Sequence, residues 1–171
     1  IENFALASGA TFVAPDLVRR SYGNHVGWNI NTSGTGTQVL NDLSFNTGAN
    51  FNFDITSGDT IQVDGTLTLN YGQTRFGTID ARGDITQAST DNGGDATIDF
   101  GSTGTQTFAI AGGITNKITL DEASDATDVE INATGPMTFT ELETSGTFSG
   151  TVPLNNVGDN ILTFYILDLQ T

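Results

Sequence analysis

The chain has 171 residues, no cysteine and a formal net charge of −15, from 20 acidic and 5 basic residues. This length fits a single domain with its own core, and the acidity argues against nucleic acid or anionic lipid as a partner, because both are recognised by clustered Lys and Arg. No stretch approaches the roughly 20 apolar residues that a membrane-spanning helix needs, so we expect no membrane insertion.

The first part of the domain, residues 1–35, is predicted to be an N-terminal cap or linker-like segment. A helical turn is predicted from Pro15 to Arg20, since proline suits the first turn of a helix. The stretch SYGNHVGWNI then follows. We consider Trp28 and Tyr22 as a glycan-binding surface, although a lone tryptophan beside glycine also anchors loops onto a core. No nucleophile motif accompanies His25, and we predict that the protein is not an enzyme.

The second part, residues 36–160, alternates apolar and polar residues with a period of two. Phe53 and Ile55 are separated by one polar residue, and Ile79 and Ala81 repeat the pattern. Gly, Thr, Asn, Asp and Ser interrupt the chain too often for amphipathic helices. This pattern predicts an all-β body of many short strands.

The stretch IQVDGTLTLNYG places a glycine where an inward-facing side chain is expected. Asp64 and Gly65 have the composition of a tight hairpin. A two-residue loop there would pair Val63 with Thr66 and send Leu67 to the wrong face of the sheet. We therefore predict that the chain bends at Gly65 and keeps its inward face.

The same pattern, apolar-x-apolar-x-Gly-x-apolar, recurs along the body. Glycine at an inward position is typical of a corner or a close backbone approach. The repetition favours a β-solenoid, similar to a parallel β-helix, with glycine corners stacked from coil to coil. A β-sandwich or jelly roll with donor-strand exchange is the alternative. The pattern is centred on Gly65, Gly83, Gly112 and Gly135, with a looser copy at Gly146.

The densest acidic group lies in the stretch LDEASDATDVE. Calcium takes six to eight oxygen ligands, so several carboxylates in one loop make Ca²⁺ the candidate cofactor, with solvated turns as the alternative. The candidate metal ligands are Asp121, Glu122, Asp125 and Asp128.

Two Asn-x-Ser/Thr triplets are candidate N-glycosylation sites, centred on Asn31 and Asn132. Asn132 is expected to point outward, because Ile131 and Ala133 flank it on a predicted strand.

The last part, residues 161–171, is predicted to be an apolar strand. Leu162, Phe164 and Ile166 would lie on one face, and Tyr165, Leu167 and Leu169 on the other. Such a strand needs cover on both faces. It is either an internal core or capping strand, or a strand that adds to a neighbouring copy of the chain.

Three segments, FGTIDARGDITQ, IQVDGTLTLN and INATGPMTFTELETSGTFSG, resemble the repetitive bacterial surface proteins of the filamentous-haemagglutinin and autotransporter-passenger kind. The resemblance covers roughly residues 45 to 150. It implies a long extracellular β-solenoid built from short strands with glycine corners, and in many members a role in adhesion.

These observations predict an extracellular structural protein, either a fibre subunit or a surface-adhesin module. Its expected partners are copies of itself, which associate through strand edges and apolar ends. A chain that begins with Ile1 also fits a mature exported form. The alternatives are a module that binds surface glycans and a β-helical enzyme acting on polysaccharides.

Overall fold

The computed structural model describes residues 3–6, 12–19, 28–32, 37–45, 52–102, 104–121, 128–145, 152–158 and 160–169. These residues form strands and connecting turns, with no helix among them. The strands are β1 (Asn3–Leu6), β2 (Phe12–Arg19), β3 (Trp28–Thr32), β4 (Thr37–Phe45), β5 (Asn52–Val63), β6 (Leu67–Leu69), β7 (Gln73–Ala81), β8 (Ile85–Gln87), β9 (Thr97–Phe100), β10 (Thr105–Ile110), β11 (Gly113–Ile114), β12 (Lys117–Asp121), β13 (Asp128–Ala133), β14 (Met137–Ser145), β15 (Leu154–Asn156) and β16 (Leu162–Leu169).

Every pairing between these strands is parallel, and the chain coils around one long axis. Parallel neighbours cannot be joined by a tight hairpin, so the chain travels around the molecule before each return. The predicted β-solenoid is therefore confirmed, and the alternative of a β-sandwich or jelly roll is wrong.

Each coil contributes to three faces, which we call A, B and C. Face A contains the second parts of β2 and β4, then β6, β8, β10, β13 and β15. Face B contains the first parts of β2 and β4, the second parts of β5 and β7, then β9, β12 and the second parts of β14 and β16. Face C contains β1, β3, the first parts of β5 and β7, then β11 and the first parts of β14 and β16.

The core is built from columns of aliphatic side chains that repeat at the same position of successive coils. On face B, Ile61, Ile79 and Ile98 lie in register and are fully buried. Each such side chain contributes roughly 1.5–3 kcal/mol when it is removed from water. The column on face A, which includes one aromatic ring, runs through Leu43, Leu67, Ile85, Phe108, Ile131 and Leu154.

The glycine corners stack as predicted, but in two separate columns. Gly65 and Gly83 lie where the chain passes from face B to face A, and a Cβ on Gly83 would overlap the carbonyl oxygen of Gly65. Gly112 and Gly135 lie where it passes from face A to face C, and a Cβ on Gly135 would overlap the carbonyl oxygen of Ala111. The interval from Gly83 to Gly112 therefore joins two different corners, which explains why it is longer than the interval from Gly65 to Gly83 and the interval from Gly112 to Gly135. Gly146 lies outside the described residues.

The helical turn predicted from Pro15 to Arg20 is wrong where the structure describes it. Residues 12–19 form β2. Ala14 pairs with Leu40 and Asp16 pairs with Asp42, on either side of Pro15. Proline has no N–H to donate to a ladder, and here it lies at the bend between faces B and A, which explains why a strand tolerates it.

Buried amide side chains satisfy backbone carbonyls at each kind of corner. The Nδ2 of Asn116 donates to the carbonyls of Thr74 and Ala96, at 2.9 Å and 3.2 Å. The Nε2 of Gln106 donates to the carbonyls of Ala81 and Gly83, at 2.7 Å and 2.8 Å. Gln87 has the same role toward the carbonyl of Ile114. These bonds link adjacent coils and, from Asn116 to Thr74, coils two apart. Each satisfies a carbonyl that would be costly to bury without a partner.

Candidate functional site: the open end of the solenoid

The last coil of the described chain consists of β15 on face A and β16 on faces C and B. Within the described residues, β15 pairs only with β13, and β16 pairs only with β14. Each strand therefore has one edge whose backbone groups meet no further strand of the described chain. An edge of this kind is a template for pairing with another strand.

The end of the solenoid also exposes side chains at positions that are buried one coil earlier. Ile131 is fully buried, whereas Leu154, its partner in register, is 41% exposed. Leu142 is buried, whereas its partner Leu167 is 51% exposed. The side chains are chemically alike, and the difference arises because no further coil of the described chain covers the last one. The exposed apolar side chains at this end are Leu154, Val157, Ile161, Tyr165, Ile166 and Leu167.

The course of β16 differs from the straight two-faced strand that the sequence predicts. Leu162 and Phe164 pack against the core, and the ring of Phe164 stacks on that of Phe139 with centroids 4.6 Å apart. The strand then bends at Tyr165. After the bend, Leu167 pairs with buried Leu142, so Leu167 rather than Ile166 lies on the inward face with Leu162 and Phe164. Leu169 pairs in register with Thr144. The strand thus belongs to this domain and is covered by it on one side.

The first coil presents the same three faces as the last coil, in the same cyclic order C, B, A along the chain. In the described residues, β1 pairs only with β3, and β2 pairs only with β4. The chain therefore runs over faces C, B and A in β1 and β2, and over faces A, C and B in β15 and β16. Because all pairing is parallel, the free edges at the two ends have compatible strand directions.

The sides of the solenoid are acidic, in contrast to its apolar end. Lys117 bridges Glu141 at 3.2 Å and Glu143 at 2.8 Å. The hydrogen bond to Glu143 is the main reason that the pKa of Lys117 is raised. Arg75 pairs with Asp54, and Arg82 with Asp80. The described basic side chains are thus neutralised locally, and the remaining negative charge makes the sides of two copies repel each other.

The structure describes only some of the residues predicted for glycan binding and glycosylation. Trp28 lies in β3, in register with Phe53, but its side chain and all of Tyr22 lie outside the described residues. Asn31 lies in β3. Asn132 lies in β13, half-buried, with its Oδ1 accepting a hydrogen bond from Asn155 at 2.8 Å.

The predicted calcium ligands are split in the same way. Asp121 ends β12 and Asp128 begins β13, whereas Glu122 and Asp125 lie outside the described residues. In the part of the chain that the structure covers, no three His, Cys, Asp or Glu side chains are grouped so that they could hold a metal ion. Calcium binding by the segment from 121 to 128 stays a prediction.

Sequence reasoning identified β16 but missed the other exposed apolar residues of the last coil. Leu154 follows Ile131 by 23 residues, as Ile131 follows Phe108. This spacing is the signal that could have placed Leu154 in the face A column. Val157 and Ile161 carry no such signal, because they lie in the connection between two strands.

Comparison with protein-family models, with curated proteins and with solved structures finds no significant match to this chain. None of the described segments is a helix long and apolar enough to cross a membrane.

Proposed function

We propose that this protein is an extracellular structural module that associates end to end with copies of itself, as a fibre subunit or as part of a surface adhesin. The observation that carries the proposal is the last coil, in which Leu154 and Leu167 are exposed at inward positions and whose strand edges meet no further strand of the described chain. The extracellular setting rests on the resemblance to repetitive surface proteins. The role needs no catalytic group.

In the proposed contact, the last coil of one copy stacks on the first coil of the next. β15 would meet the second part of β2 on face A. The two parts of β16 would meet β1 on face C and the first part of β2 on face B. The two surfaces in contact are different, so the contact is heterologous and repetition produces an open filament rather than a closed dimer.

The energetics favour a weak association that depends on concentration. Fully burying an aliphatic side chain contributes roughly 1.5–3 kcal/mol, so covering a half-exposed one contributes about 1 kcal/mol. Covering Leu154 and Leu167, together with new backbone hydrogen bonds along the strand edges, must offset the several kcal/mol lost when two molecules are joined. Repulsion between acidic chains opposes the contact, and salt reduces that repulsion.

Sedimentation velocity with electron microscopy of the same samples tests the proposal. We expect the wild type to form larger particles between about 1 μM and about 1 mM, the range in which binding free energies of about −8 to −4 kcal/mol become visible. These particles should grow along one axis, and more strongly at about 0.15 M salt than at about 0.01 M, because the Debye length falls from about 30 Å to about 8 Å.

A pair of lysine variants locates the contact. Leu167→Lys places a charge on the exposed end, whereas Thr86→Lys makes the same charge change at an exposed position on the side of the solenoid, in β8. We expect Leu167→Lys to remain folded and monomeric, with a melting temperature a few degrees lower, and Thr86→Lys to assemble like the wild type. A wild type that stays monomeric throughout, or equal assembly of the two variants, would contradict the proposal.

A further inference from the structure

A groove of about 360 Å³ lies on the outer side of face C and reaches from β7 to β14. It crosses four consecutive coils, whose strands are spaced by about 4.8 Å, so it extends about 14 Å along the axis. Its lining is mostly polar, with one large apolar side chain. The lining residues are Gln73, Arg75, Asn92, Gly94, Asp95, Ile114 and Thr140.

Phe76, the residue after Arg75 of the groove, has an exposed side chain and an unusual backbone conformation. It pairs in register with Ile55, which is 1% exposed, yet Phe76 itself is 45% exposed. Its φ of 63° is the one positive value among the described residues other than glycine. A left-handed conformation costs a bulky residue on the order of 1–2 kcal/mol. The strained backbone points the Phe76 ring outward, at a position where the side chain of the preceding coil is buried.

The neighbouring backbone holds this conformation in place. The N–H of Phe76 donates to the Oδ1 of Asp95 at 2.9 Å, which ties the strained residue to the next coil. The following residue, Gly77, has a φ of 27°, and a Cβ there would overlap the side chain of Ile55. Arg75 and Phe76, although consecutive, therefore both project outward, against the alternation of a regular strand.

Arg75 is fixed in the groove by two contacts. Its Nε and Nη2 donate to the two carboxylate oxygens of Asp54 at 2.6 Å and 2.7 Å. Its guanidinium carbon lies 5.3 Å from the centroid of the Phe76 ring, which is a cation–π contact. Asp54 neutralises the charge of Arg75, and Asp95 adds a further carboxylate. The groove therefore does not attract an anion, and the ring already has a cation beside it.

We propose that this groove binds a neutral oligosaccharide. An exposed aromatic ring provides an apolar surface for the C–H face of a sugar, and planar amide, carboxylate and guanidinium groups match pairs of neighbouring hydroxyls. Phe76 would provide that surface, and Gln73, Asn92 and Asp95 of the groove lining would bond hydroxyl groups. The proposal does not rest on end-to-end assembly.

An array of neutral and sulfated oligosaccharides, followed by calorimetry with the best neutral binder, tests the proposal. The informative variant is Phe76→Gly, because glycine adopts a positive φ without strain and the change removes the ring. We expect this variant to lose at least about tenfold in affinity, equal to about 1.4 kcal/mol, with a melting temperature no lower than that of the wild type. Thr86→Ala changes an exposed side chain on face A, away from the groove, and serves as the control, with binding unchanged.

Several results would overturn this proposal. They are the absence of binding to any neutral glycan on the array, binding restricted to sulfated glycans, and equal affinity of wild type and Phe76→Gly. Loss of binding in Trp28→Ala with retention in Phe76→Gly would instead place the site at β3. Assembly is measured separately by sedimentation, so failure of either proposal is recognised without the other.

Discussion

Asp91 is a buried carboxyl group whose protonation is coupled to folding. It is 3% exposed and lies in the connection between β8 and β9, where its backbone pairs with Gly72. Burial raises the pKa of Asp91 from 3.8 to about 7, although the N–H of Gly93, at 3.2 Å from Oδ2, favours the charged form. The folded chain therefore holds this proton at pH values where the unfolded chain has released it.

The sign and size of the effect follow from this difference in pKa. Between about pH 4 and pH 7 the folded chain binds more protons, so the contribution of Asp91 to the free energy of unfolding falls as pH rises. A difference of about 3 pKa units at 1.36 kcal/mol per unit gives a loss of about 4 kcal/mol at pH 8. Asp91→Asn removes the titration, at a cost of about 1–3 kcal/mol if the new amide hydrogens lack partners.

Guanidinium unfolding of wild type and Asp91→Asn at pH 4, 6 and 8 measures this effect. We expect the variant to gain about 4 kcal/mol relative to the wild type between pH 4 and pH 8, whatever its stability at pH 4. Asp168→Asn makes the same charge change at an exposed position and corrects for the overall acidity. A difference between variant and wild type that does not change with pH would refute the reasoning.

Two further substitutions test the corners of the solenoid. Gly83→Ala forces a Cβ onto the carbonyl of Gly65, and we expect a loss of about 2–3 kcal/mol in the free energy of unfolding; Gly104→Ala, where a Cβ meets open space, should cost less than about 0.5 kcal/mol. Asn116→Ala leaves the buried carbonyls that Asn116 serves without a donor, and we expect a loss of about 2–4 kcal/mol, measured by the same denaturation; no loss would mean that water replaces the amide.

The sequence was sufficient for the all-β class and for the glycine corners, because both depend on local pattern. The parity of Val63, Gly65 and Leu67 predicted a bend rather than a hairpin, and the structure places Val63 and Leu67 in the core on two adjoining faces. The pattern could not show that corners at Gly65 and Gly112 belong to different edges of the solenoid. The assignment of each glycine to a corner depends on how the coils stack, and a local sequence pattern carries no information about stacking.

The candidate sites depend more strongly on long-range structure. The composition of β16 predicted an apolar strand, but the bend at Tyr165 reassigns Leu167 to the inward set. The sequence did not predict that Phe76 points outward, because its position in the alternating pattern is that of a core side chain. The burial of Asp91 likewise results from the coils packed around a turn, and its sequence context of Asn and Gly is typical of exposed loops.

Amide hydrogen exchange at two protein concentrations tests the account most directly, because it shows which strand edges become covered. We predict that raising the concentration protects amides in β15, β16, β1 and β2, and leaves β8 and β9 in the middle of the solenoid unchanged. Protection that is independent of concentration at both ends, or that increases on β8 and β9 instead, would contradict assembly through the terminal coils.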